Sequence, residues 1–330
     1  MPVMLAEVVR GPVVECQHFG AVAVVDADGK VIAGAGDTGV VAFLRSAGKP
    51  FQAIPLVASG AADAYGFSAA ELAIAAGSHS GEPGHLATVA GLLGRLGLDQ
   101  DALGCGLVSP MDGATAARIA TGQEAVTTLH CGCSGKHAGM LAACLRRGYP
   151  LDSYLDLDHP LQQEILGVMA DHFGLPAAEI PVATDGCGVP TFGASVARIA
   201  RAWARLAAPT DTYRAAVPRI LDAMAAEPWM VAGTGRICTE LMPIVGPGIV
   251  VKTGAEGLFC LALREQGWGV AIKVADGGIR ALPVITAAVL RQLGVVTEEQ
   301  MARFLERQPS QIRNNAGMVV GEVRSTISLN

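Results

Sequence analysis

The feature that most constrains this chain is where its strand material lies. Ala21-Val22-Ala23-Val24-Val25 runs into the turn Asp26-Ala27-Asp28-Gly29 and on to Lys30-Val31-Ile32-Ala33, a pattern that predicts a β-hairpin. The next strand-like runs come only near the other end, at the β-branched Ile249–Val251 and Gly267–Val274 and the apolar Leu258–Leu263. Between them the periodicity is helical. Ser68-Ala69-Ala70-Glu71 is a capping box opening a helix through Ala76. Helices are also predicted over His85–Gly97, Thr115–Gln123, Ala138–Arg147, Leu161–Phe173, Phe192–Ala208 and Asp211–Ala226, the last kinked at Pro218. Pro283–Leu293 and Thr297–Glu306 follow near the C-terminus. The expected fold is mixed α/β (α+β). An antiparallel sheet is built from both chain ends, with a largely helical middle region. Residues 1–330 read as one domain, with sheet at about 1–45 and 230–330 and helices at about 46–229.

Composition narrows the function. Hydrophobic residues make up 51 % and charged residues 16 %, enough apolar material for a sizeable core. A net charge of −6 with no long basic run argues against nucleic-acid binding. No stretch approaches the ~18 uninterrupted apolar residues of a membrane span, and Met1–Gly11 does not read as a signal peptide. The expectation is a soluble cytoplasmic protein with a small-molecule substrate, and the hydrophobic content allows a homodimer. In such a compartment the eight cysteines read as thiols or metal ligands.

Gly34-Ala35-Gly36-Asp37-Thr38-Gly39 fits G-x-G-x-x-G, but its preceding strand is half of a hairpin and Asp37 would face the pyrophosphate, so it reads as a glycine-rich connection. Ser46 and Lys49 form a Ser-x-x-Lys pair, in which a partly desolvated lysine can take the serine's proton. Pro50 complicates the helix this needs, because it cannot donate to the Ser46 carbonyl. Either the helix starts near Pro50 or its first turn is irregular. Gly77-Ser78-His79-Ser80 is a hydroxyl-rich loop, and Lys252-Thr253-Gly254 ends a β-branched run. The densest reactive cluster is His130-Cys131-Gly132-Cys133-Ser134-Gly135-Lys136-His137, in which Cys133 could join Cys131 or His137 on a metal. It lacks the spacing of a phosphate-binding loop. Cys16, Cys105, Cys144 and Cys260 read as buried small hydrophobes, and His18, His85, His159 and His172 as surface or capping residues.

Ser-x-x-Lys, a serine loop and Lys-Thr-Gly, in that order, resemble the motifs of penicillin-interacting serine enzymes, although Ser78-His79-Ser80 departs from their middle motif. A closer resemblance covers almost the whole chain. Gly20–Gly29, Arg45–Pro50, Gly77–Pro83, Cys131–His137, Asp185–Pro190 and Lys252–Gly257 look like the Rhizobium-type (class 3) L-asparaginases. The resemblance implies a serine β-lactamase-like fold and hydrolysis of L-asparagine through an acyl-enzyme. It matches Ser46 with Lys49 as one serine–lysine pair, and Ser78 with Lys252 as a second. It further implies Zn2+ on Cys133, Lys136 and Cys187, with Arg45, His137, Asp185, Cys238 and Gly254 about the substrate. The alternatives are a glutaminase or penicillin-recognising amidase on the same fold, or a zinc-binding protein without catalysis.

Overall fold

The structure is a computed structural model describing residues 1–330, apart from the side chain of residue 211. Four strands open the chain: β1 (Val3–Arg10), β2 (Val13–Asp26), β3 (Val31–Ala35) and β4 (Val41–Phe43). A 3-10 turn over Arg45–Gly48 leads into α1 (Lys49–Gln52), α2 (Ile54–Ala58), α3 (Ala61–Ala64), α4 (Ala69–Ala75), α5 (Pro83–Arg95), α6 (Gly113–Ala120), α7 (Ser134–Arg147) and α8 (Pro160–Phe173). A hairpin, β5 (Val182–Thr184) and β6 (Pro190–Ser195), precedes α9 (Val196–Ala207), α10 (Val217–Ala226), α11 (Pro228–Val231) and α12 (Ile237–Val245). The C-terminal part holds β7 (Ile249–Thr253), β8 (Leu258–Leu263), β9 (Trp268–Val274), α13 (Leu282–Gln292), α14 (Glu298–Arg307), β10 (Gln311–Arg313) and β11 (Val319–Ser325). No helix of the described residues is long and apolar enough to cross a membrane.

The chain forms two compact units. The sheet unit comprises residues 1–47, 194–208 and 240–330. Its antiparallel sheet runs β10-β11-β1-β2-β9-β8-β7, with β3 also paired to β2. Strands from both chain ends thus share one sheet, as the β-branched runs implied. The register Val22↔Ile272 and Val24↔Val270 joins the two ends at the centre. Every residue of β8 is buried, which explains a run with no alternation. Helix α9 packs on β9, where Gly269 leaves no room for a side chain: an added Cβ would overlap the Ala200 carbonyl and the Ala204 amide. Trp203, fully buried, fills the core beside it.

The helical unit comprises residues 48–193 and 209–239. Helix α7 is its axis. Residues Ser134–Cys144 are all buried, so it is apolar-packed on every side despite its polar first turn. The predicted capping box opens α4, with the Glu71 amide donating to Ser68 Oγ at 3.3 Å and the Ser68 amide donating to Glu71 Oε2 at 2.8 Å.

Several expectations are corrected. Phe192–Ala194 belongs to a strand, and the helix begins only at Val196, capped by Ser195. The helix expected from Asp211 begins at Val217, so Pro218 lies in its first turn, where it is tolerated, and causes no kink. Helix α7 starts at Ser134 and takes in Lys136 and His137. Cys16 is half-buried, not buried. His18, His85, His159 and His172 are all buried; His159 caps α8, and His85 Nδ1 accepts the Glu82 amide at the start of α5.

Candidate active site

In the sheet unit the Ser46 turn is built under strain. Arg45 has φ +48°, a left-handed conformation that costs a non-glycine residue energy and collects at functional sites. Ser46 follows it, half-buried, in the 3-10 turn that the Ala47 amide closes onto the Leu44 carbonyl at 2.9 Å. The irregular first turn foreseen from Pro50 takes this form: a 3-10 turn carries Ser46, and α1 starts at Lys49 with Pro50 in its first turn. The edge strand β7 brings the Lys-Thr-Gly motif to the same place. A Cβ on Gly254 would lie 2.8 Å from the Leu44 carbonyl, so only glycine lets the two segments approach this closely. Lys252 is fully buried and donates to the Thr253 carbonyl at 3.0 Å. The rest of the motif is pinned by Lys273, which donates to the Glu256 carbonyl at 2.5 Å.

In the helical unit two glycines seat α7. Cβ atoms on Gly132 and Gly135 would each lie 2.6 Å from a carbonyl oxygen, of His79 and Ile74 respectively. This close approach lays the Cys131–Lys136 segment against the Ser78–Ser80 loop. His79 ties the two together. Its Nδ1 accepts the Gly81 amide at 3.2 Å, so the neutral ring carries its proton on Nε2 and donates to Ser134 Oγ at 2.8 Å. The Ser134 hydroxyl donates onward to the Leu129 carbonyl at 3.0 Å. The Ser78 hydroxyl is buried and has no hydrogen-bond partner among the described residues.

Lys49 is 1 % exposed and donates to the Gly132 carbonyl at 3.0 Å, which places its amine beside the cysteine cluster. Lys136, on the first turn of α7, donates to Cys187 Sγ at 3.0 Å across 51 residues of sequence. Cys187 and Asp185 sit in the tight turn joining β5 to β6, closed by the Asp185 amide on the Val189 carbonyl at 2.8 Å. Hydrogen bonds from Cys131 and Cys187 hold the Cys133 thiol well below its ordinary range, helped by Lys49 and Lys136. Hydrogen bonds to Cys105 and Cys133 raise Cys131, and the hydrogen bond to Cys133 raises Cys187, so the three sulfurs titrate as one linked set. Burial lowers the Lys136 pKa, but the Cys133 and Cys187 sulfurs more than offset this and the net shift is upward.

Among the described residues no three His, Cys, Asp or Glu side chains converge as a metal site. A metal here would therefore need Lys136 as its third donor. Two thiols and an amine already in mutual contact fit zinc, which favours thiolate and nitrogen ligands, provided the amine gives up its proton. The Cys131 thiol lies against both Cys133 and the Cys105 carbonyl, and His137 Nδ1 meets the Tyr154 hydroxyl at 2.7 Å. Cys238 is buried in the first turn of α12. Sequence reasoning missed the His79–Ser134 bridge and Tyr154; nothing in the local pattern around Tyr154 signals a partner at Gly104 or His137.

Burial, then repulsion from His85 and Lys49, pushes the His79 pKa well below 6.5. The unfolded chain binds this proton near pH 6.5 and the folded chain does not. Stability is therefore complete above that pH and falls as pH drops below it, by up to about 1.4 kcal/mol per pH unit for this one histidine. Chemical denaturation between pH 7.5 and 5 should show that decline, and His79→Gln should make it shallower without abolishing it, because burial also lowers the pKa of His137 and of His85.

Each unit thus carries its own group of reactive side chains: the strained Ser46 turn beside the Lys252 strand in the sheet unit, and the Lys136, Cys133 and Cys187 cluster in the helical unit. The chain belongs to the L-asparaginase II family, whose profile matches residues 6–325. It is accordingly an enzyme of the amidohydrolase class with a small-molecule substrate. A search of curated proteins finds no match. Among solved structures, a β-lactamase from Mycobacterium bovis is 16 % identical, covering 83 % of this chain and 94 % of its own at a TM-score of 0.39. A candidate β-lactamase from Bacteroides dorei is 14 % identical, covering 82 % and 93 % at a TM-score of 0.42.

Proposed function

We propose that the protein hydrolyses the side-chain amide of L-asparagine to L-aspartate and ammonia, with Ser46 as nucleophile. The observation that carries this reading is the strained Arg45–Ser46 turn held against the Lys252-Thr253-Gly254 strand by the approach of Leu44 to Gly254. A strained backbone that presents a serine beside a buried lysine strand is costly, and catalysis accounts for keeping it. Lys49 takes the Ser46 proton as Oγ attacks the amide carbon. The C–O bond forms, and the tetrahedral intermediate is held by hydrogen-bond donors. The C–N bond then breaks, with the serine's proton delivered to the departing nitrogen, and water cleaves the β-aspartyl ester. Ser78 and Lys252 supply the second serine and lysine for proton transfer. Arg45, His137, Asp185, Cys238 and Gly254 contact the substrate. Cys133, Lys136 and Cys187 would hold zinc, which when bound polarises the substrate and shapes its pocket. A cytoplasmic homodimer belongs to the same reading.

Ammonia release tests it. Asparagine should exceed glutamine in kcat/KM by roughly tenfold to a hundredfold, the discrimination that one methylene supplies. Equal or faster release from glutamine would make the protein a glutaminase. Covalent labelling by a β-lactam would make it penicillin-recognising. Zinc binding with no ammonia from any amide would leave a metal-binding protein without catalysis.

A further inference from the structure

We infer that Tyr154 is a positioning residue: it fixes His137 in the tautomer protonated on Nε2 and so presents a buried N–H donor to an oxygen of the substrate. The inference rests on the asparaginase reading for the identity of that substrate, but not for the tautomer. Tyr154 lies between α7 and α8 and is 2 % exposed. Its position is locked from behind, because Gln162 Nε2 donates to its backbone carbonyl at 2.7 Å. Its hydroxyl meets two groups, the Gly104 amide at 2.7 Å and His137 Nδ1 at 2.7 Å.

The donor count then sets the proton. The Gly104 amide can only donate, so the tyrosine oxygen accepts from it. If His137 Nδ1 also carried a proton, both neighbours would be donors and the buried phenol hydrogen would have no acceptor. The arrangement is satisfied when the phenol donates to Nδ1, and a neutral imidazole then carries its proton on Nε2. That Nε2 is buried and has no hydrogen-bond partner among the described residues. Leaving such a donor unpaired destabilises the fold. Yet the ring is completely buried in the first turn of α7, beside Lys136. A carboxylate or amide oxygen of an amino-acid amide is the acceptor such a donor suits. Tyr154 thereby reaches the substrate only through His137. Gly104, which completes the chain of hydrogen bonds, is itself constrained, since a Cβ there would lie 2.8 Å from Leu155 Cδ1.

Long-range proton–nitrogen correlation on the intact, substrate-free protein reads the tautomer directly. The expected result is a His137 ring protonated on Nε2 in the wild type and a mixture, or the Nδ1 form, in Tyr154→Phe. A wild-type ring protonated on Nδ1, or an Nε2 form that persists unchanged in Tyr154→Phe, overturns the proposal. The wild-type spectrum decides even if the variant folds poorly, and it decides whether or not asparagine is hydrolysed, a question the ammonia assay answers separately. Where asparagine is turned over, Tyr154→Phe should raise KM about tenfold with kcat changed less than about threefold. An unaltered KM would overturn the substrate-facing part.

Discussion

Ser46→Ala should abolish ammonia release from asparagine, a loss of roughly 10⁴-fold or more, since removing an activated nucleophile collapses the whole covalent route. The hydroxylamine-trapped aspartyl product should disappear with it. The fold should not change. Ser46 is half-buried in a turn closed by the Leu44 and Ala47 backbone, and its alanine variant keeps that hydrogen bond. Melting within about 1 kcal/mol of the wild type, together with lost turnover, would separate chemistry from stability. Substantial residual activity would instead move the nucleophile to Ser78, whose hydroxyl is also buried and unpartnered among the described residues.

On the proposed zinc site, Cys187→Ala should release the metal and loosen the helical unit. One of two thiols is removed from a three-donor set, so zinc affinity should fall by more than about 100-fold, beyond what losing an outer-shell partner costs. The same change takes the Cys187 sulfur from Lys136, an amine only 2 % exposed, and a buried donor left short of a partner costs about 1–3 kcal/mol. Metal analysis after dialysis reads the first effect, and denaturant unfolding of chelator-treated protein reads the second. Stoichiometric zinc in the variant would remove Cys187 from the ligand set. Cys131→Ala should retain zinc where Lys136 is the third donor; lost zinc would put Cys131 in the set, since its thiol also hydrogen-bonds Cys133.

The sheet was legible because period and turn chemistry are local. The Val22–Val31 hairpin and the runs of β7 and β9 carry their own β-branched pattern, β8 is a continuous apolar run, and the α4 capping box is written in four residues. Errors fell where a short apolar run has no period to read. Phe192-Gly193-Ala194 continues the strand whose Pro190–Phe192 pairs with Val182–Thr184, while the true helix cap, Ser195, lies just beyond. The polar run Ser134-Gly135-Lys136-His137 lies outside the helix expected from Ala138. It is helical because Gly135 lets the turn press onto the Ile74 carbonyl, a contact no neighbouring residue announces.

The sequence by itself determined the order of elements, the joining of both chain ends into one sheet, the motif residues and the family to which they belong. Spacing and propensity act over a few residues, and motif order survives without coordinates. Only the tertiary structure decided that Lys136 meets Cys187, that Gly254 abuts Leu44 under a strained Arg45, and that the Tyr154 hydroxyl meets His137 Nδ1. Those contacts join segments far apart in the chain. They depend on close approaches that glycine permits and on hydrogen bonds that burial makes obligatory.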